Sequence, residues 1–277
     1  MAKALGLIGN FTGKLGNTVG YNLKDSNNKQ TQGVRVYQPV VKNPKTAAQA
    51  EQRAKLAPIN ATYRALKAII DRGQEGIAYG NKSRLAWLSD AIKAFNGGWF
   101  EKGATNMYPA VVPLTKGSLA VRFLSDSSTK VANISGLTMP AEPTGTVGEI
   151  SAAIIARYPQ VQEGDQLTFI NVAHFSNGLS TAVRSLVIDT TSTKALSSEF
   201  MNYNGTLSYY DPIDEACVWA VVLSREGDNG QHLRSTTSLN QTIAYPEQYF
   251  GETAKAAAIA SYMSQGANTD WAEESIM

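Results

Sequence analysis

Between residues 95 and 118 the spacing of apolar residues changes from every three or four positions to every two. The first period marks one face of a helix, the second one face of a strand. A chain that switches once, helices first and strands afterwards, folds as an α+β protein and not as alternating βαβ units.

Before the switch, residues 17–41 read as an extended hairpin, with "TVGYNL" and "GVRVYQPVV" flanking the polar stretch "KDSNNKQTQ". Asn43 followed by Pro44 is a helix start, and Ile59, Tyr63, Leu66 and Ile70 form an apolar stripe that Gly73 ends. Pro58 is expected to kink or split that helix. A second helix is expected over Asn81–Phe95, its stripe made by Leu85, Leu88, Ile92 and Phe95 with Trp87 and Ala91 beside it. The connector "WFEKGATNMYPAVVPLTKGS" follows, and a domain boundary is expected there. Beyond it "LAVRFLSD", "EISAAIIARY", "DQLTFINVAHF", "TAVRSLVIDT", "EACVWAVVLSR" and "LRSTTSLNQTIAY" read as strands separated by turn clusters. The expected architecture is a basic arm, hairpin and helices over 1–110, followed over 111–277 by an antiparallel β-sandwich with a short C-terminal helix and an acidic tail.

Charge follows the same division. Residues 1–110 carry 16 Lys and Arg against 6 Asp and Glu, and residues 111–277 carry 9 against 17. A basic first part is expected to meet nucleic acid or another acidic surface, the alternative being that the two oppositely charged parts pack on each other or on neighbouring copies. No apolar run reaches the roughly 20 residues of a membrane-spanning helix, and the opening "MAKALGLIGN" lacks the continuous apolar region of a secretory signal. The expected location is a virion or the host cytoplasm, with no membrane partner. Cys217 is the single cysteine, which excludes an intrachain disulfide, and "EACVWAVVL" around it reads as a strand.

The glycines of "GNFTGKLGNTVGY" (9–21) invite comparison with a phosphate-binding loop, but the spacing is wrong. Gly9 and Gly13 enclose three residues where a P-loop needs four, and Leu15 stands where that loop needs Ser or Thr. Gly13, Gly16 and Gly20 also fail the dinucleotide pattern. They suit unusual backbone angles or close backbone approach instead. Only His174 and His232 are present, with no metal-ligand spacing, and the carboxylates of "DPIDE", "REGDNG" and "QEGDQL" sit in turn sequences. No catalytic residue, metal, cofactor or small-molecule substrate is expected.

The basic segment is the candidate contact region. Lys14, Arg35, Lys42, Lys45, Arg53, Lys55, Arg64 and Lys67 are the expected contacts to nucleic acid or to a protein partner, and Tyr21 and Tyr37 the expected stacking residues. Lysine and arginine neutralise phosphates, and aromatic faces stack on unpaired bases.

Over about its first 120 residues the chain resembles an uncharacterised protein family of Bacteroidota genomes and their phages. The resemblance rests on Gly13, Lys14, Gly16, Asn17, Val19 and Tyr21, then Val34 and Arg35, then Asn43, Pro44, Lys45, Thr46, Gln49, Gln52 and Arg53. It implies a virion or assembly protein without enzymatic activity, and the expected partners are other virion proteins and copies of itself, with DNA a further candidate partner on the strength of the basic segment. The alternatives are a soluble single-stranded nucleic-acid-binding protein of phage replication, and a surface adhesin using Tyr209, Tyr210 and Trp219 on glycans.

Overall fold

The computed structural model describes residues 13–24, 30–37, 46–104, 106–108, 111–138, 145–175, 178–209, 217–227, 230–241 and 246–263. The chain forms two compact units, Met1–Lys45 and Thr46–Met277. The division lies at residue 45 and not near 110, because the helices that follow Thr46 share a core with the strands.

The first unit is a three-stranded antiparallel meander of β1 (Gly13–Leu15), β2 (Thr18–Lys24) and β3 (Gln30–Val36). Leu15 pairs with Thr18, so Gly16 and Asn17 are a two-residue turn. Gly16 takes φ +59°, which a hairpin loop of this length needs at its first position. From Gly13 onward the glycine-rich stretch is two strands joined by a turn, and Gly13 and Gly16 take the unusual backbone angles that its glycines suit.

The second unit runs α1 (Ala47–Ala65), α2 (Lys67–Ile70), α3 (Asn81–Lys93), β4 (Pro113–Thr115), β5 (Asn133–Ile134), α4 (Val147–Arg157), β6 (Gln166–Phe175), β7 (Gly178–Val187), β8 (Phe200–Tyr203) and β9 (Thr206–Tyr209). It ends with β10 (Cys217–Glu226), β11 (His232–Arg234), β12 (Thr237–Ser238), β13 (Asn240–Gln241) and α5 (Gly251–Met263). Its central sheet has the order β11-β10-β6-β7, with β13 also on β10, and every pairing is antiparallel.

Both faces of that sheet carry buried apolar residues. On one side Ile170, Val172, Val218, Ala220 and Val222 pack under Ile59, Leu66, Ile70 and Trp87 of the helices. On the other, Leu167, Phe169, Trp219, Val221 and Leu223 meet Ile150 and Ile154 of α4 and the second sheet β5-β9-β8 through Ile134, Leu207 and Tyr209. Asn171 joins the two sheets: its Oδ1 accepts from Ala132 N at 2.6 Å and its Nδ2 donates to Tyr209 O at 3.2 Å. The fold is α+β with a sandwich-like pair of antiparallel sheets, as the change of period implied.

Three local expectations change, and one hairpin is added to them. "EISAAIIARY" is the helix α4, because Ile150, Ala153 and Ile154 recur at helical spacing and Thr146 and Glu149 form a full capping box. "LAVRFLSD" turns Val121 inward, yet no strand forms over 119–126. The β8–β9 hairpin turns on Asn204-Gly205, whose φ values of +47° and +76° are what an Asn-Gly turn provides. On α3 Ser83, Trp87 and Ala91 are buried; of the expected stripe, Leu88 and Phe95 pack half-buried against the core, while Leu85 and Ile92 are exposed. The Trp87 ring outweighs the stripe of smaller side chains beside it.

Asn43 and Pro44 lie outside the described residues, and Thr46 caps α1, its Oγ1 accepting from Gln49 N at 3.3 Å. The helix runs through Pro58 without splitting there; Leu66 separates α1 from α2. Thr62 donates to Pro58 O at 3.0 Å and accepts from Tyr108 N at 2.8 Å, so this part of the helix is tied to the connector that follows α3.

Candidate nucleic-acid interface

Strand register places four of the expected contact residues on one face of the first unit. Lys14 pairs with Val19, Val19 with Arg35, and Tyr21 with Gly33. Paired residues of antiparallel strands point to the same side, and residues two apart along a strand do so as well. Lys14, Val19, Tyr21, Arg35 and Tyr37 therefore share a face, with the two cations on either side of the central strand. Neighbouring strands are about 4.8 Å apart, which sets Lys14 and Arg35 about 10 Å from each other across β2. At that separation in water their repulsion is only about 0.4 kcal/mol, so the sheet tolerates them while their positive potentials add.

The two tyrosines are held differently. A Cβ on Gly33 would meet the end of the Tyr21 side chain at 2.6–2.9 Å, so the phenol covers the glycine backbone, and the residue is 36% exposed. Only glycine leaves room for that arrangement. Nothing in the sequence singles out Gly33, whose role emerges only once the register is known. Tyr37 N donates to Asn17 O at 2.6 Å, which docks it beside the hairpin turn. The Lys14 ammonium stands 3.7 Å over the Tyr37 ring, a cation–π contact. Lys14 and Arg35 are both exposed. Over the whole unit, residues 1–45 carry seven Lys and Arg and a single acid, Asp25.

The remaining expected contacts separate into three groups. Lys42 and Lys45 lie outside the described residues. Arg53 and Arg64 of α1 and Lys67 of α2 belong to the second unit and are exposed. Arg53 and Arg64 are eleven positions apart, close to three full turns, so they lie on one line of the helix. Lys55 is engaged within the molecule: its Nζ is 2.8 Å from Glu51 and 5.5 Å from the Phe95 and Trp99 ring centres. The hydrogen bond from Lys55 holds the Glu51 carboxyl below its ordinary value. Lys255 of α5 shares Glu51 at 3.7 Å, so Lys55 is part of the α1–α5 contact.

Two of the carboxylates that could suggest a metal or an acid–base pair, Asp165 and Glu163, have structural partners. Asp165 receives Nε and Nη2 of Arg225 at 2.7 and 2.8 Å and also Gln162 N at 2.8 Å. Glu163 accepts from Thr190 N. "DPIDE" lies outside the described residues. Among the described residues no cluster of three or more His, Cys, Asp or Glu side chains is placed to hold a metal ion, and no helix is long and apolar enough to cross a membrane. Trp219 and Tyr209 are buried in the sandwich core, so neither presents a ring to a glycan, and Tyr210 lies outside the described residues.

The chain matches no family model, no curated protein and no solved structure.

Proposed function

We propose that this chain is a non-enzymatic structural or assembly protein of a phage particle, and that its N-terminal sheet contacts nucleic acid. The observation that carries the contact is the shared face of Lys14, Tyr21, Arg35 and Tyr37 on a unit with seven cations and one acid. Lys14 and Arg35 take phosphates, and the exposed part of the Tyr21 ring takes an unpaired base. A phosphate arriving at Lys14 draws its ammonium off Tyr37 and opens a second ring. Placement in a particle is supported by the resemblance of the N-terminal motif. In that setting residues 46–277 make the contacts to other virion proteins and to copies of this chain.

The test is a titration of labelled single- and double-stranded DNA with the full chain and with its Lys14→Gln/Arg35→Gln variant at several salt concentrations. Binding to single strands should weaken linearly in log salt. The variant should lower that slope by about 0.7 for each phosphate it no longer neutralises. An unchanged slope would remove the sheet face from the reading.

The tyrosine face also favours a second reading, a soluble single-stranded nucleic-acid-binding protein of replication. Purified particles separate the two: the proposal requires the chain in stoichiometric amounts in the particle, the alternative its absence.

A further inference from the structure

The helix-covered face of the central sheet changes chemistry at one end. Along β6 the residues on this face are Val172, Ile170, Thr168 and Gln166; along β10 they are Val218, Ala220, Val222 and Ser224. On β7, Val183 gives way to Ser185, the registered neighbour of Thr168. Ser224 pairs in turn with Arg234 of β11. The aliphatic part lies under the helices, and the hydroxyl and amide part floors a cavity of about 350 Å³.

The walls of this cavity are cationic and aromatic. Arg72 and Tyr79 come from the segment between α2 and α3, and His232 and Arg234 from β11. Tyr79 and His232 stack with ring centres 6.1 Å apart at 30°, and Tyr79 is 50% exposed at the mouth. Arg234 is positioned from both sides, donating Nη1 to Ser224 Oγ at 3.1 Å and Nη2 to Tyr79 Oη at 3.5 Å. Among the described residues no Asp or Glu lines the cavity. Two acids stand beside its walls: Glu75, whose carboxylate is held by Ser118 N and Arg234 N, and Glu226, the cross-strand neighbour of His232. A surface that is polar only because it meets water mixes both signs of charge. This cavity instead sets two guanidiniums beside a stacked ring pair, over a floor of Gln166, Thr168, Ser185 and Ser224.

We propose that this cavity binds a nucleoside 5′-phosphate, its base against the Tyr79–His232 pair and its phosphate on Arg72 and Arg234. The volume is in the range of small-ligand sites. Guanidinium forks match phosphate oxygens, and the floor hydroxyls suit a ribose. The ligand is either a free nucleotide or the terminal nucleotide of a strand. The site lies wholly within residues 46–277, so it stands or falls independently of the N-terminal sheet.

The experiment is calorimetric titration of the full chain with adenosine 5′-monophosphate, adenosine, and a thymidine tetranucleotide with and without its 5′-phosphate. The N-terminal cations also gain from an added 5′-phosphate, so the part of the preference that Arg72→Gln and Tyr79→Ala remove, with the sheet unchanged, is what reports on this cavity. A free-nucleotide site binds the monophosphate at least tenfold more tightly than adenosine. A strand-end site shows that preference between the tetranucleotides instead. In either case Arg72→Gln and Tyr79→Ala, both surface changes, should each weaken the preferred ligand roughly tenfold with melting temperature unchanged. Equal affinity with and without phosphate in both ligand pairs, no saturable binding, or affinities within twofold of wild type in both variants would overturn the assignment.

Discussion

Tyr21 owes its orientation to the residue opposite it. Gly33 leaves its phenol room to cover the backbone, and an added methyl would meet the end of the side chain within 2.9 Å. Gly33→Ala is therefore expected to lift the ring from the sheet and weaken single-strand binding several-fold without changing any charge. Tyr21→Ala should cost about 1–3 kcal/mol, the worth of one stacked base. Fluorescence anisotropy with a labelled oligonucleotide checks both. The cations and tyrosines themselves could be picked from the sequence by type and density. Their common face could not, because facing depends on pairing register, and a one-residue slip sends alternate residues to opposite sides.

Glu75 makes a second expectation at a single side chain. Burial alone would raise its carboxyl, but hydrogen bonds from Ser118 N at 2.9 Å and Arg234 N at 3.0 Å outweigh burial and hold it below its ordinary value of 4.5. A carboxyl lowered on folding contributes stability above its unfolded value, and that contribution is lost as pH falls through the folded value. Wild type should accordingly lose stability below pH 4.5, and Glu75→Gln should flatten that loss while being the less stable of the two at pH 7. Denaturant melts over pH 3–7 measure it.

Among the elements, α4 shows how a short apolar segment misleads. "EISAAIIARY" has neighbouring apolar residues that satisfy a strand or a helix pattern over so few positions. The deciding signal precedes it, where the Thr146 side chain accepts from Glu149 N at 3.2 Å and Glu149 accepts from Thr146 N at 2.7 Å. Thr146→Ala should cost about 1 kcal/mol in a thermal or denaturant melt. The β8–β9 hairpin carries its own signal in Asn204-Gly205, and there the cost of error is larger. Gly205 has φ +76°, and an added Cβ would sit 2.2 Å from Leu137 O. Gly205→Ala should destabilise by roughly 2 kcal/mol or more, since a left-handed alanine alone costs 1–2 kcal/mol. Long elements with a strong period, such as β6, β7 and β10, were readable directly, and so was α1 by its Ile59, Leu66 and Ile70 stripe. α3 was readable as a helix but only in part as to its buried face, which one tryptophan decides.

Over the whole chain, most of the order of helices and strands was visible in the apolar period, α4 excepted, whereas the division into units was not. A change of period marks where one kind of element ends. It does not say whether the helices before it pack on the strands after it, and here they do. With the boundary between Lys45 and Thr46, the basic character concentrates in the first unit, and residues 46–277 carry more acids than bases. Residues 46–277 expressed alone should unfold in one cooperative transition at the melting temperature of that unit in the full chain, read by calorimetry, because they contain the three core clusters complete.

Nucleic-acid contact by the N-terminal sheet is tested by photo-crosslinking the full chain to a single-stranded oligonucleotide carrying 5-bromouracil, with the crosslinked peptides mapped by mass spectrometry. Stacking on the basic sheet predicts crosslinks at Tyr21 and Tyr37 that disappear in the Lys14→Gln/Arg35→Gln variant. Crosslinks confined to residues 46–277, or the absence of any crosslink at low salt, would contradict nucleic-acid contact by the N-terminal sheet.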